Sequence, residues 1–584
     1  THSHDLVGEW IFSAALFPQQ SGAGAASYLD QILRNQPRDA TQDCAYLAPA
    51  SESLIGEIVR ARSQVETFLA ECLDTIIELR PAVVGFTSVF QQQVASLALA
   101  ARIKARSPDI FLVFGGANCE GVMGLEMLRQ FPFIDAVVSG EGEVAFPALV
   151  QRLLSSKPVS DLIGVYGRDR SALHILDEPV RNTPVITDMD ALPTPDYDDY
   201  FTQWEQSSLR GTVKPILLFE TSRGCWWGEK HHCTFCGLNG ETMGHRRKSA
   251  GRALSELTAM TAAHPGLDVV AVDNILDMAY FKDFIPALAA HGLDTNIFYE
   301  VKSNLTKEQL RLLRDARINE VQPGIESLGD TVLRIMRKGV SALQNIQFLK
   351  WCQELGIRPN WNLIWGFPGE PAEEYARMAE LIPLITHLPP PQYATPIRVD
   401  RFSPNFNQSE RLGFKNLAPY PAYRFVYPLL PEAVTNLAYY FTYEYKTHQD
   451  VESYVRPLAA AVGNWQQCHP SSQLFQIETG ERLLVLDRRP AAQAPLFALS
   501  GLQQFVYQAC DRIRTPRQLL QSWQSGSVEP ITPTGIRAEL EACVARGIMI
   551  REGECYLALA VAPPTAVRGQ AKNFAAALEA VDKR

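Results

Sequence analysis

Apolar residues in the stretch 81–153 come in short runs separated by segments of helical spacing. Residues 81–90 (PAVVGFTSVF) read as a buried strand running into a polar turn. Val94, Leu97, Ala98, Ala101 and Ala105 then recur three and four residues apart, which is one face of a helix. Residues 110–114 (IFLVF) form a second strand, stopped by Gly115-Gly116, and 121–130 a short helix. Residues 134–138 form a third strand, stopped by Gly140-Glu141-Gly142-Glu143. Strands that end in glycine turns and alternate with helices predict an α/β, Rossmann-like, doubly wound parallel sheet. Its ligands lie at the carboxyl ends of the strands. Prolines at 158, 179, 184, 193 and 195 break up the next fifty residues, and MDALPTPDYDDYF reads as a linker.

A second alternation starts at Lys214. Strands are expected at 216–220, 269–272, 296–300, 320–324, 358–364 and 395–401, with amphipathic helices between them, 305–313 and 340–355 included. Six such repeats predict a partial (β/α)6 barrel with its chemistry at the C-terminal strand ends. The last hundred residues change character. Ser500 with Gln503, and Thr515-Pro516-Arg517-Gln518, read as capping boxes. Residues 533–546 form a third helix closed by Gly547. Residues 548–550 and 555–559 make a hairpin around Glu552-Gly553, giving a small winged-helix-like unit. The expected division is 1–155 sheet domain, 156–205 linker, 206–430 barrel and 431–584 C-terminal domain.

The 584 residues exceed one core, and 46% hydrophobic with 20% charged residues is a globular, soluble composition. A net charge of −10 argues against nucleic acid as the main partner, because a phosphate backbone needs a basic face. No apolar run approaches the roughly 18 residues that span a membrane, and no cleavable signal pattern occurs. The chain opens at Thr1 without Met, so it is expected to begin inside a longer protein. Of eleven cysteines, eight are scattered and three are clustered. An odd count at irregular spacing is a poor disulfide framework and points to a reducing cytoplasm with one metal site. The scattered eight read as small buried apolar residues.

The segment 221–240 reads TSRGCWWGEKHHCTFCGLNG and follows the first barrel strand. Thiolates select zinc or iron–sulfur. Structural zinc wants four ligands, and His231 or His232 is available as the fourth. Three thiolates on a [4Fe–4S] cluster instead leave one iron open to chelate S-adenosylmethionine (AdoMet). Charge-rich HRRKS (245–249) reads as a solvated loop, and Trp226, Trp227 and Trp361 read equally as core.

The cysteine segment resembles the radical SAM superfamily, with seven and two residues between the thiols where three and two are usual. CWWGEKHHCTFCGLNG is similar to cobalamin-dependent members that mature ribosomally made peptides, C-methyltransferases among them. The similarity continues through VDNILD, YEVKSNL, QPGIESLGDTVLRIMRKGV, NWNLIWGFPGEPAEEY and RFSP, over roughly the first 430 residues. It implies Cys225, Cys233 and Cys236 as cluster ligands. It implies Phe235 as the aromatic residue whose backbone meets adenine, and Asp273 and Asn274 at the methionyl end of AdoMet. Glu326 and Ser327 are implied as ribose or amino contacts, Asn362 and Trp365 at the adenosyl group, and Arg398 on the sixth strand.

The resemblance also implies cobalamin on the N-terminal sheet, met by Thr87, Ser88, Gly115, Gly116, Ala117, Gly140, Glu141 and Gly142. No Asp-x-His-x-x-Gly segment exists, so no histidine is expected on cobalt. A sheet domain that binds nothing is the bland alternative. The function so implied is C-methylation of an unactivated carbon in a precursor peptide that carries a leader, with an electron donor such as flavodoxin or ferredoxin. Radical cyclisation, epimerisation or rearrangement without methyl transfer is the alternative, and a peptide-binding regulatory protein with a structural metal is a third. Residues 475–560 are expected to recognise the leader, with the arginines at 482, 488, 489, 512, 514 and 517 meeting its acids. A purely structural wing is the alternative there.

Overall fold

The computed structural model describes the chain apart from residues 1–2, 20–21, 35–49, 169–179, 241, 480–481, 527–530 and 563–584, so Cys44 and His2 lie outside the described residues. The first alternation forms β1 (Val83–Thr87), β2 (Phe111–Gly115), β3 (Ala136–Val138) and β4 (Val165–Gly167). β1 to β3 are parallel and lie in sequence order, and β4 runs antiparallel to β3. Side-chain alternation along β2 separates two layers. Leu112 and Phe114 share a core with Val94 and Leu97 of the helix Gln93–Arg106. Val113 packs with Ala145 and Leu149 of the helix Gly142–Leu154. Both faces are covered, as predicted, but the order of the described strands never reverses. β4 also corrects the boundary at 155: the sheet continues past it, and Thr183 N still donates to Ser139 O at 2.8 Å. The expected linker therefore begins inside this domain.

The second alternation forms β5 (Ile216–Phe219), β6 (Asp268–Ala271), β7 (Ile297–Glu300), β8 (Ile318–Gln322) and β9 (Arg358–Pro359), a parallel sheet in the order β9-β8-β7-β6-β5. β10 (Asn362–Trp365) pairs in parallel with β11 (Tyr393–Pro396). The strand predicted at 358–364 is thus broken at residues 360–361. Asn360 N donates to Val321 O at 2.8 Å and Ile364 N to Glu326 O at 2.9 Å, so the arc carries on across the break. The strand predicted at 395–401 also divides, its second half, Val399–Asp400, pairing with Tyr440–Tyr445. One face of the arc is buried under the helices through Leu217, Phe219, Val269, Ala271, Tyr299 and Leu363. The other face lines the lumen. There Ile216 and Leu218 remain 43% and 45% exposed, so the lumen is open at its β5 side.

The helix Val451–Cys468 packs along Ala372–Ile385 of the barrel, so the unit predicted to start at 431 starts later. It opens with β12 (Leu474–Thr479), β13 (Arg482–Asp487) and β14 (Leu496–Ser500), an antiparallel sheet in that order. The helices Gly501–Ala509, Pro516–Gly526 and Pro533–Ala545 follow, then the hairpin β15 (Met549–Glu552) and β16 (Cys555–Ala558). The Thr515 capping box forms, with Thr515 N donating to Gln518 Oε1 at 2.9 Å. The Ser500 box does not: Gln503 reaches Glu539 at 2.7 Å and Arg546 at 2.9 Å instead. Asp511 pairs with Lys307 at 3.0 Å and Lys350 at 2.8 Å and fastens the unit to the barrel. Arg489 is no leader-facing arginine. It is fully buried with Asp487 and donates to Leu384 O and Gly547 O. All ten described cysteines are free thiols. Among the described residues no helix is long and apolar enough to cross a membrane.

Candidate active site

β5 delivers the chain into the loop that carries Cys225, Cys233 and Cys236. Asp273, just past β6, holds the loop's start: it accepts Thr221 N at 2.7 Å, Ser222 Oγ at 2.7 Å and the Thr221 hydroxyl. Burial pushes the Asp273 carboxyl up to about 6, against these hydrogen bonds. The seven-residue spacer is taken up by the helical turn Gly228–His231. Two half-buried tryptophans pin it, Trp226 Nε1 donating to Leu276 O at 3.1 Å and Trp227 Nε1 to Arg337 O at 3.0 Å. Trp361, by contrast, is core at 1% exposure. The His231 ring lies tilted against Trp227 with centroids 4.2 Å apart and His232 Nε2 contacts Cys236 O at 2.9 Å, so both imidazoles have other partners in the loop. Among the described residues no three His, Cys, Asp or Glu side chains converge closely enough to hold a single ion. Thiolates on a cluster each bind a different iron and stand further apart than ligands around one ion. Burial pushes the Cys236 thiol up to about 12 and also raises Cys225, so these two bind iron by giving up a proton that burial favours.

Three charged residues around Glu326 and the cysteine loop escaped the sequence reading. Glu300 ends β7, and burial, with Glu326 adding, pushes its carboxyl up to about 7. Lys338 Nζ lies 3.6 Å from Glu326 Oε1 and 5.6 Å from the Phe235 ring centroid. Burial works against its charge, but the thiols and Glu326 outweigh that and raise its pKa. Lys302, brought down to about 8 by burial and by Lys338, sits 3.6 Å over the Trp227 ring. The strand-end rule already covered Glu300. For the lysines the signal was their place in the blocks YEVKSNL and QPGIESLGDTVLRIMRKGV, each a few residues beyond a strand end or helix end.

The candidate AdoMet residues separate into two groups. Phe235, Glu326 and Lys338 come together, and Asn274 lies against Asn239 of the cysteine loop. Asn362 faces the lumen, and its Oδ1 is buried with no hydrogen-bond partner among the described residues. An orphaned acceptor at a strand end fits a ligand N–H. The other residues have structural work. Asp273 is 1% exposed and spends its carboxylate on the loop. Ser327 is buried, its Oγ accepting Gly329 N at 3.1 Å. Trp365 shares the helix-covered face with Leu363, because alternation along β10 points it away from Asn362. Arg398 clasps Asp400 at 2.6 and 3.0 Å and reaches Ser3 at 2.9 Å, so it joins the N-terminal segment to the barrel.

The candidate cobalamin edge divides likewise. Thr87 and Ala117 are exposed at the strand ends, and a side chain on Gly142 would meet nothing within 4 Å. Gly115 is similarly open, its nearest neighbour 3.9 Å from a would-be Cβ. Val89, Phe90 and Val144 project from the same edge at 36%, 45% and 48% exposure, an apolar surface suited to a flat cover. Gly116 and Gly140 serve the turns themselves, with φ of 92° and 99° and would-be Cβ atoms 2.6 Å from Ser88 O and 2.8 Å from Thr183 Oγ1. Ser88 is fully buried and holds Asn118. Glu141 pairs with Arg246 at 2.7 Å and accepts Ile186 N at 2.8 Å, and so docks the sheet onto the barrel. The segment HRRKS is correspondingly not solvated: Arg246 meets Glu141, Arg247 meets Asp277 at 3.4 Å, and Lys248 is buried on Glu256 at 2.6 Å.

Residues 219–382 match the Radical SAM superfamily, which implies a [4Fe–4S] cluster and AdoMet for this barrel. The chain is 27% identical over 299 residues to an uncharacterized methyltransferase, PH0819, of Pyrococcus horikoshii, covering 50% of this chain and 62% of that one. It is 25% identical over 203 residues to the cobalamin-dependent radical SAM methyltransferase TokK of Streptomyces tokunonensis, covering 35% and 28%. Less than two thirds of either relative's length is matched. In fold, the chain superposes on the cobalamin-dependent S-adenosylmethionine radical enzyme OxsB with a TM-score of 0.52 and 17% identity, over 70% of this chain and 61% of that one. Residues 219–382 thus form a radical SAM domain, in a chain whose relatives include an uncharacterized methyltransferase and a cobalamin-dependent radical SAM methyltransferase.

Proposed function

We propose that this chain is a cobalamin-dependent radical SAM enzyme that methylates an unactivated carbon of a ribosomally made precursor peptide. The observation that carries this reading is the meeting of two strand-end edges. Loop 140–143 of the sheet domain is ion-paired to the short ladder that leads into Cys225, Glu143 to Arg223 at 2.6 Å and Glu141 to Arg246 at 2.7 Å. An open apolar edge and a thiol loop are thereby held against each other, as two cooperating cofactors require. The methyltransferase relatives support methyl transfer. The open lumen and the sheet β12–β14 support a long flexible substrate, because a peptide can extend a sheet at its edge.

When bound, the cluster supplies one-electron cleavage of AdoMet and cobalamin supplies a transferable methyl group. The electron comes from a partner of the flavodoxin or ferredoxin class. Cys225, Cys233 and Cys236 hold the cluster, Asn362 and Glu326 orient AdoMet from the lumen, and Val89 and Phe90 keep water off the cobalamin edge. The test combines purified protein, AdoMet, a reductant, hydroxocobalamin and the precursor peptide, read by mass spectrometry. A methyl-sized gain on the peptide supports the reading. Peptide that is rearranged or cyclised without that gain, or left unchanged, overturns the methyl-transfer part.

A further inference from the structure

The cysteine loop is held from two sides. Its first part rests on the barrel. The Trp227 ring occupies the space a side chain on Gly339 would need, and Thr234 N donates to Met336 O at 3.1 Å. Its last part, residues 237–240, leaves Cys236 and runs against the sheet domain. Two bare positions let the neighbours close on it. A side chain on Gly240 would collide with the Glu120 carboxylate. One on Gly237 would meet Arg401 O and, at 2.9 Å, the Tyr439 hydroxyl. Asn239 is tied to Asn274 of the barrel, so the stretch has little slack.

Both contacts lead back to the sheet edge. Glu120 lies in the turn after β2, three residues on from Ala117, and accepts Asn182 Nδ2 at 3.1 Å. The same turn is bonded to the end of β1, Asn118 Nδ2 donating to Ser88 Oγ at 3.0 Å and to Val89 O at 2.7 Å. Gly121 N donates to Ser139 Oγ at 2.8 Å. Tyr439 stands between the loop and Phe90, with ring centroids 5.3 Å apart. Two short chains of contact therefore join Cys236 to the edge. One runs through Gly240 and Glu120 to Ala117, the other through Gly237 and Tyr439 to Phe90.

We infer that segment 237–240 is a common wall of the two cofactor sites, with Glu120 and Tyr439 as positioning residues, so that filling either site tightens the other. The inference rests on the proposed reading of Cys225, Cys233 and Cys236 as cluster ligands and of the sheet edge as the cobalamin site. A cluster that ties the three thiols together takes freedom from residues 237–240 and, through Glu120 and Tyr439, from the edge. Cobalamin then meets an edge already ordered, and less ordering is left for it to impose. Linkage makes the effect reciprocal.

The test is a titration of the full-length chain with hydroxocobalamin, followed by its absorbance band, on protein with its cluster and on protein from which a chelator has removed it. In the parent the cluster is expected to lower Kd about 5-fold or more. Glu120→Ala and Tyr439→Leu are expected to bring the two values together. Asn436→Ala removes a different bond between the sheet domain and the rest of the chain, Asn436 Nδ2 to Glu126 Oε2 at 2.9 Å, and should keep the parent's ratio. A purely structural role for Glu120 and Tyr439 would lower the melting temperature without moving that ratio. A parent that binds cobalamin equally with and without its cluster overturns the inference, and a ratio lost in Asn436→Ala as well overturns the role of this wall. A parent that assembles no four-iron cluster, or leaves hydroxocobalamin unbound, removes the reading beneath the inference and the inference with it. Should the cluster-free chain not melt cooperatively, hydrogen exchange on the cluster-loaded chain decides. Amides 236–240 are expected to gain protection when hydroxocobalamin is added, and unchanged protection overturns the inference.

Discussion

Asn362 Oδ1 and Trp365 Nε1 are both buried without a hydrogen-bond partner among the described residues, yet their spacing on β10 sends them to opposite faces. Only Asn362 looks into the lumen. Asn362→Ala is expected to weaken AdoMet binding to the cluster-loaded protein ~5–10-fold, on the order of 1 kcal/mol for one lost hydrogen bond. Trp365→Phe should leave that affinity within a factor of two and lower thermal stability instead. Isothermal titration with AdoMet decides. Equal losses in both variants would contradict the face assignment.

Replacing Cys225, Cys233 and Cys236 by alanine should abolish the broad brown absorbance and the release of 5′-deoxyadenosine. Asp273→Ala should act through the same loop. It strands the donors of Thr221 and Ser222 in a buried place, at about 1–3 kcal/mol for each unpaired group. Lower iron retention and an earlier melt are expected, and iron content equal to the parent would show that the loop does not depend on this carboxylate.

At the sheet edge, Gly142→Val puts a side chain where nothing within 4 Å opposes it. Hydroxocobalamin binding, followed by its absorbance band, should fall while the melting temperature stays within a few degrees. Gly116→Ala should do the reverse, because its Cβ would be driven to 2.6 Å from Ser88 O in a left-handed turn. A parent protein that leaves hydroxocobalamin unbound at saturation would remove the cobalamin assignment altogether.

Glu9 gives a pH dependence of stability. It accepts Gln93 N at 3.1 Å and Val94 N at 2.7 Å, and burial pushes its carboxyl from 4.5 up to about 7. The folded state therefore holds a proton that the unfolded state releases above pH 4.5. The contribution is fully present below that pH and is lost as pH rises through about 7. Glu9→Gln has nothing to titrate, so its melting temperature should fall less steeply than the parent's between pH 5 and 8. Parallel slopes would refute the assignment.

The leader is expected on β14, the outer edge of the small sheet, because β12 is already flanked by Val561 through Gln476 N at 3.0 Å. A photo-crosslinking residue at exposed Ala498 should capture the precursor peptide, and one at Arg537, on the helix side, should not. Point probes suit this unit better than truncation, since Asp511 and Arg489 knit it into the barrel.

The alternation of βα units was legible because strand and helix periods differ, and the three thiols were legible because they cluster. The break at 360–361 was not, since Asn360, Trp361, Asn362 and Leu363 keep the polar–apolar alternation of a strand across it. Glu141, Arg398 and the HRRKS segment were misread for one reason. A charged residue at a domain junction looks, in sequence, like one at a surface or at a ligand, and only the fold shows Glu141 against Arg246 or Arg398 against Asp400. Of the small sheet β12–β14 the sequence shows only the strand 483–486 (LLVL), because its neighbours carry mixed patterns.

The packing of Trp227 into the vacancy at Gly339 reaches beyond this one chain. An aromatic ring and a missing side chain more than a hundred positions apart are two halves of a single fitting. Among descendants that retain the long cysteine spacer, the pair should be inherited together. A lineage that shortens the spacer loses the ring, and with it the constraint that keeps position 339 bare.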